Sequence, residues 1–123
     1  MTELIHKELT EQIIGAAFEV HNVLGYGFLE KVYENALLVE LAKRGLKVEA
    51  QKPIKVKYKD AIVGDYIADL VVEDKVILEL KAEEKYNPQH EAQLLNELKA
   101  TGTKVGVLIN FGRGKCEFKR LAM

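Results

Sequence analysis

The stretch Val76-Ile77-Leu78-Glu79-Leu80-Lys81 decides how this chain is read. Its alternation predicts a strand with Leu78 and Leu80 on one face and Ile77, Glu79 and Lys81 on the other. An apolar run of this kind belongs inside a sheet, where an unpaired charge is costly. A carboxylate and an ammonium side by side on one face therefore need partners. A cross-strand ion pair at the wet end of the strand is one answer, and a metal-dependent active site is the other.

A second acid, Asp69, lies inside the apolar stretch YIADLVV, residues 66–72. Opposite residues of a hairpin share a face, so the turn decides whether the two carboxylates meet. A three-residue loop, Glu73 to Lys75, sets Asp69 opposite Glu79, and loops of that length are common. A two-residue turn sets Asp69 opposite Leu78 and splits the acids between faces unless a bulge intervenes. Phosphodiester hydrolysis needs a cation to offset charge on the phosphoryl oxygens and to acidify the attacking water. Magnesium prefers hard oxygen ligands and keeps several waters. Asp69 and Glu79 would provide two such ligands and the carbonyl of Leu80 a third. Lys81, one pleat further on, would orient the water or steady the developing negative charge. E-x-K alone says little, because Glu and Lys alternate on many solvated strands; a second acid buried in the neighbouring strand says more.

Outward from this hairpin, two helical patterns precede it and one follows. ELTEQIIGAAFEVHNVLG places Leu9, Ile13, Ala16, Ala17, Val20 and Leu24 at helical spacing, with Thr10 as the cap of a shorter version. After the break at Gly25-Tyr26-Gly27, FLEKVYENALLVELAKRG carries an apolar stripe of Leu29, Val32, Tyr33, Ala36, Leu37 and Leu41, with Gly45 at its C-terminal cap. The period then changes to two in LKVEAQ and again in PIKVKYKD, where Ile54, Val56 and Tyr58 alternate with Lys55, Lys57 and Lys59. NPQHEAQLLNELKATG reads as a helix with Asn87 as N-cap, Pro88 at the first position and Gly102 closing it. KVGVLINFG reads as a buried strand, parallel to a neighbour after the helical crossover, and KCEFKRLA as a last edge strand. The expected order is α-α-β-β-β-β-α-β-β, an α/β sandwich around a mixed sheet.

The 123 residues suit a single domain with one core. A net charge of -1 gives no global field for nucleic acid, so any such binding must use a local basic surface. The one cysteine, Cys116, leaves no intrachain disulfide and no cysteine-based zinc site, which suits a reducing compartment. MTELIHKELTEQ lacks the apolar centre of a signal peptide, and no apolar run reaches membrane-spanning length, so the cytoplasm is expected, without membrane association.

Asp69, then Glu79-x-Lys81, after two helices and leading strands and before a helix and a strand, resembles the PD-(D/E)XK nuclease superfamily. GFLEKVY, residues 27–33, fits the motif of the GxxExxY protein family, and ILELKA with HEAQLLNELKATGTKVGVLINFG is similar to that family's second half. The resemblance covers nearly the whole chain. It implies a restriction-endonuclease-like fold over residues 1–123 and a Mg2+- or Mn2+-dependent nuclease. It puts Asp69 and Glu79 at metal-ligand positions and Lys81 at the catalytic lysine. Glu30 matches the motif glutamate that helps the metal site, and Gln93 the glutamine on the helix after the E-x-K strand. Two departures stand out. Ala68 occupies the place where proline often precedes the aspartate, and Glu97 the place where RecB-like relatives often carry a tyrosine.

The expected substrate is nucleic acid, DNA ahead of RNA, and a homodimer would supply surface that so small a chain lacks. The alternative is a catalytically inactive nuclease-fold module that binds nucleic acid or protein. The lysines at 55, 57 and 59 read equally as edge-strand protection and as phosphate contacts. His90, one turn before Gln93, reads as a solvated helix residue more readily than as part of the site. Tyr33 reads as packing between helix and sheet or as a substrate contact, and His6 and His21 as structural or surface residues.

Overall fold

The structure, a computed structural model, describes residues 5–123. Helices α1 (Lys7–Leu24) and α2 (Glu30–Lys43) precede strands β1 (Val48–Tyr58), β2 (Ala61–Val72) and β3 (Val76–Lys81). A 3-10 turn, Pro88–His90, then leads into α3 (Glu91–Thr101), followed by β4 (Val105–Phe111) and β5 (Cys116–Ala122). The five strands form one mixed sheet in sequence order, with β3 and β4 parallel across the α3 crossover and every other pair antiparallel. This is the mixed sheet flanked by helices that the sequence leads one to expect.

The sheet buries two faces. Leu70, Val72, Val76, Leu78 and Leu80 pack with Ile13, Ala16 and Val20 of α1 and Tyr33, Leu37 and Leu41 of α2. On the other face Val71, Ile77 and Leu108 pack with Leu94 and Leu98 of α3. Leu78 and Leu80 thus lie on one side of β3 and Ile77 on the other, as the alternation requires. β4 is buried along its whole length, because helices cover both of its faces.

Local chemistry explains most element ends. Gly45, at φ 82°, closes α2: its amide bonds the Ala42 carbonyl and the next amide, Leu46, bonds that of Leu41. That is the reciprocal pattern of a glycine-terminated helix. Asn87 accepts a hydrogen bond from the Gln89 amide at 2.9 Å, with Pro88 in the first position. Gly102, at φ 71°, ends α3.

Four local expectations need correction. Thr10 is no cap: α1 starts at Lys7, and the buried Thr10 hydroxyl bonds the Lys7 carbonyl at 2.9 Å inside the helix. The stripe on α2 is narrower than its spacing suggests. Leu29 is 79% exposed and Val32 is at the surface, while Tyr33, Glu34, Leu37 and Leu41 form the buried face. The segments LKVEAQ and PIKVKYKD are not two strands but one continuous β1, irregular at Gln51, whose φ is 53°. Finally, Tyr58 does not share the burial of Ile54, because it sits at the exposed tip of the β1–β2 hairpin.

The irregularity at Gln51 changes which face the hairpin buries. The register is the same immediately before and after it, Ala50 opposite Leu70 and Lys52 opposite Ala68, and shifts only between Val56 and Lys57. Yet Leu70 belongs to the α1–α2 core, whereas Ala68 and Ile54 belong to the α3 core. The outer half of the hairpin therefore turns toward α3, and Asp69, opposite Gln51, sits at the turning point.

Helix α3 approaches the sheet closely at Gly106, where an added Cβ would stand 2.8 Å from Leu94 Cδ1. Gly106→Ala is expected to push α3 outward and cost about 1–3 kcal/mol, as overpacking typically does. Urea unfolding of the variant checks it, and an unchanged midpoint would show that α3 yields freely.

Candidate active site

The loop between β2 and β3 is Glu73-Asp74-Lys75, bounded by the Val72–Val76 pair, with Leu70 opposite Leu78. This is the three-residue register that puts Asp69 opposite Glu79. Pairing between β2 and β3 covers only three residue pairs and stops at Leu70–Leu78, because the hairpin turns away at Asp69. The Leu80 amide, left without a β2 carbonyl, donates instead to Asp69 Oδ2 at 2.8 Å. In an extended strand a residue's carbonyl points to the same edge as its amide, so the Leu80 carbonyl opens toward the same gap.

Glu79 is 2% exposed on the α3 side of the sheet. The carboxyls of Asp69 and Glu97 are its acidic neighbours. The Gln93 amide lies 3.5 Å from Glu79 Oε2 and 3.0 Å from Glu97 Oε2. Burial, then the neighbouring acids Glu97 and Asp69, push the Glu79 carboxyl up to about 11. Asp69 is also raised, chiefly by burial, against the opposing pull of the Leu80 amide and of the neighbouring Glu79. Two clustered carboxyls thus share protons where both cannot easily be charged.

Glu30 comes from α2 on the opposite face and is solvent-facing as a residue. Desolvation of its carboxyl is the largest influence and raises its pKa. Lys81 works the other way, and Asp69, Glu34 and Glu83 add to the rise. Lys81 is half-buried at the end of β3 and makes no ion pair within 4.0 Å among the described residues. Asp69 therefore meets the Leu80 backbone directly, Glu79 lies beside Asp69 with Gln93 against it, and Glu30 and Lys81 stand close enough to influence Asp69 and each other. The bland alternative, a cross-strand ion pair at the wet end of β3, does not form: neither Glu79 nor Lys81 has a salt-bridge partner among the described residues.

The other residues weighed from sequence fall into plain roles. His90 is paired with Glu83 at 2.7 Å. The ring of His21 stacks on Phe111, and its Nε2 lies 2.8 Å from the Gly112 carbonyl. Tyr33 is buried and stacks on Phe111, and its hydroxyl bonds the Gly25 carbonyl and the Phe28 amide, fixing the loop before Glu30. The spacing of glycine, glutamate and tyrosine in GFLEKVY thus has a structural half (Tyr33) and a half that faces the site (Glu30).

Two residues escaped the sequence reading. Glu34, one turn after Glu30, is buried and accepts from Gln51 Nε2 at 2.7 Å, tying α2 to the bend in β1 opposite Asp69. Its signal was the i, i+4 pair of glutamates on one helix face. Asn110, opposite Lys81 on β4, bonds both the amide and the carbonyl of Glu83. It fixes the chain as it leaves Lys81, and its signal was an amide inside the apolar run VLINF.

Residues 7–121 match the family model of the PD-(D/E)XK nuclease superfamily. The chain belongs to that superfamily. Among solved structures it is similar to SSO0001, at TM-score 0.60 and 14% identity over 95% of this chain. It spans 58% of the SSO0001 chain. It is also similar to LHK-Exo, solved in complex with dAMP, at TM-score 0.50 and 13% identity over 92% of this chain and 82% of that one. At such identities these likenesses speak for the nuclease-like fold. No curated protein matches the sequence. No described helix is long and apolar enough to cross a membrane.

Members of this superfamily typically use divalent metal, and the fit can be tested on the residues present. Among the described residues no three His, Cys, Asp or Glu side chains form a ready metal cluster. Two carboxylates and a backbone carbonyl do meet at one gap, and Glu79 Oε1 is buried without a partner. An unfilled carboxylate oxygen in so dry a place is the acceptor a cation would satisfy. Hard oxygen donors of this kind, completed by water, suit magnesium or manganese.

Proposed function

We propose that this chain, as one nuclease-like domain over residues 1–123, is a divalent-metal-dependent phosphodiesterase acting on nucleic acid. The observation that carries the reading is the Asp69–Leu80 bond across the opened β2–β3 seam, which brings two carboxylates and a free carbonyl edge together. Asp69, Glu79 and the Leu80 carbonyl would hold Mg2+ or Mn2+. Bound there, the cation would supply charge for the phosphoryl oxygens and acidify a water. Lys81 would orient that water and steady negative charge on the phosphoryl group. Glu30 would hold an outer water of the site, and Gln93 would fix the orientation of Glu79. The GFLEKVY motif makes the GxxExxY family the subgroup to which we assign it. A cytoplasmic setting belongs to the same reading. Magnesium-dependent cleavage of labelled DNA and RNA, stopped by EDTA, tests it. No cleavage of either, with metal-independent binding to nucleic acid or a protein, would favour the inactive module.

Substrate contact would fall on a groove of about 580 Å³ between the β1–β2 hairpin and α3, lined by Lys55, Lys57 and Lys99. Lys59 lies instead at the hairpin tip, over the Tyr58 ring. DNA is the first substrate to test, and a second copy of the chain would extend this small basic surface. Changing Lys55, Lys57 and Lys99 together to Gln is expected to flatten the salt dependence of duplex binding by about 2–3 in log–log slope. Anisotropy in calcium across a salt series reads this out. An unchanged slope returns Lys55 and Lys57 to protecting the open edge of β1.

A further inference from the structure

Glu97 lies where an acid is hardest to account for. It points from α3 into the layer between helix and sheet, flanked by Leu94 and Leu98, and is fully buried. No lysine, arginine or histidine pairs with it among the described residues. An apolar side chain would pack there without the cost of desolvating a carboxylate. Its polar neighbours are Gln93, one helical turn earlier, and Glu79. The single amide nitrogen of Gln93 reaches Oε2 of both glutamates, at 3.0 Å for Glu97 and 3.5 Å for Glu79. Each glutamate keeps its Oε1 unpartnered, and these are the only buried unpartnered acceptors among the described side chains.

We propose that Glu97 is a positioning residue of the metal site, holding Gln93 and Glu79 so that one oxygen of Glu79 is engaged on the α3 side and the other is left for the cation. This rests on the metal-dependent reading above and extends it to a residue where this chain departs from the tyrosine of RecB-like relatives. Glu97 touches neither cation nor substrate; it acts through Gln93 and Glu79. Outer residues of this kind commonly govern metal affinity about 10–100-fold.

The test is Mn2+ binding followed by electron paramagnetic resonance in the parent protein, Glu97→Ala, Glu97→Gln and Gln93→Ala, with melting measured alongside. Glu97→Ala is expected to weaken Mn2+ binding about 10–100-fold, and Gln93→Ala, at a half-exposed position that tolerates truncation, to do the same. Glu97→Gln keeps an acceptor for the Gln93 amide and is expected to bind within about threefold of the parent. Parent-like affinity in Glu97→Ala and Gln93→Ala would make Glu97 purely a packing residue and overturn the proposal. Loss in Glu97→Gln as large as in Glu97→Ala would also overturn it, because the charge itself would then be a ligand. If the parent binds no Mn2+, the metal-dependent reading fails together with this one.

Discussion

Glu79→Ala is expected to reduce magnesium-dependent cleavage at least about 10³-fold, with Mn2+ binding lost in parallel. The size follows from what is removed. Stabilisation of transition-state charge by a bound metal contributes several kcal/mol, and each 1.36 kcal/mol is about tenfold in rate. Among the described residues Asp69 is the carboxylate bonded to the Leu80 amide, and Glu79 is the acid beside it. Lys81→Ala is expected to lose about 10²–10³-fold in rate, as removal of a single charge-stabilising donor does. It should leave Mn2+ affinity nearly unchanged, because Lys81 is no ligand. Single-turnover cleavage and Mn2+ titration of the two variants separate these roles. Equal loss of Mn2+ affinity in both would show that the assignment of ligand and lysine is wrong.

The second large effect is on stability, and it runs opposite to the usual cost of a core mutation. The Glu79 carboxyl is pushed from 4.5 up to about 11, mainly by burial. Below pH 4.5 it is protonated in both folded and unfolded chains and contributes nothing to the difference. Above that, the unfolded chain releases the proton while the folded one keeps it, so stability falls as pH rises, throughout the window up to about 11. Asp69 and Glu30, also raised, add to the same slope. Glu79→Gln keeps the shape and an acceptor for Gln93 but carries no titrating group. It is expected to melt at least about 4 °C higher than the metal-free parent at pH 7.5, with the gap closing toward pH 4.5. Magnesium or manganese should raise the parent's melting temperature at pH 7.5 and leave the Gln variant unmoved. A parent whose melting is flat from pH 5 to 8, or a Gln variant that melts lower, would contradict the burial of an ionisable Glu79.

Much of this was legible in the sequence because it was written in local chemistry. Alternation in VILELK fixed the two faces of β3. The sequence allowed two turns between β2 and β3, and the three-residue loop Glu73 to Lys75 is the one whose register sets Asp69 opposite Glu79. Asn87-Pro88 and Gly102 fixed the ends of the helical segment that carries Gln93. The bend in β1 was not legible, because Gln51 is neither glycine nor asparagine and nothing local marks a positive φ there. The structure links it to Glu34, 17 residues earlier, through a side-chain bond. The exposure of Leu29 and Val32 was hidden for a similar reason. Spacing gives the apolar face of α2, but the angle at which the helix meets the sheet decides how much of that face is covered. Asn110 and Glu97 showed only as polar residues in apolar surroundings, and what they bond depends on the loop after Lys81 and on the approach of α3.

Asp69, Glu79 and Lys81 are proposed to form a metal-dependent phosphodiesterase site. Nicking of supercoiled plasmid by the purified protein, in magnesium, in manganese and in EDTA, beside Lys81→Ala prepared identically, tests it most directly. Open-circular product is expected with the parent protein in either metal and none in EDTA, with the variant slower by about 10²–10³-fold. Equal nicking by parent and variant, or nicking that persists in EDTA, would contradict it.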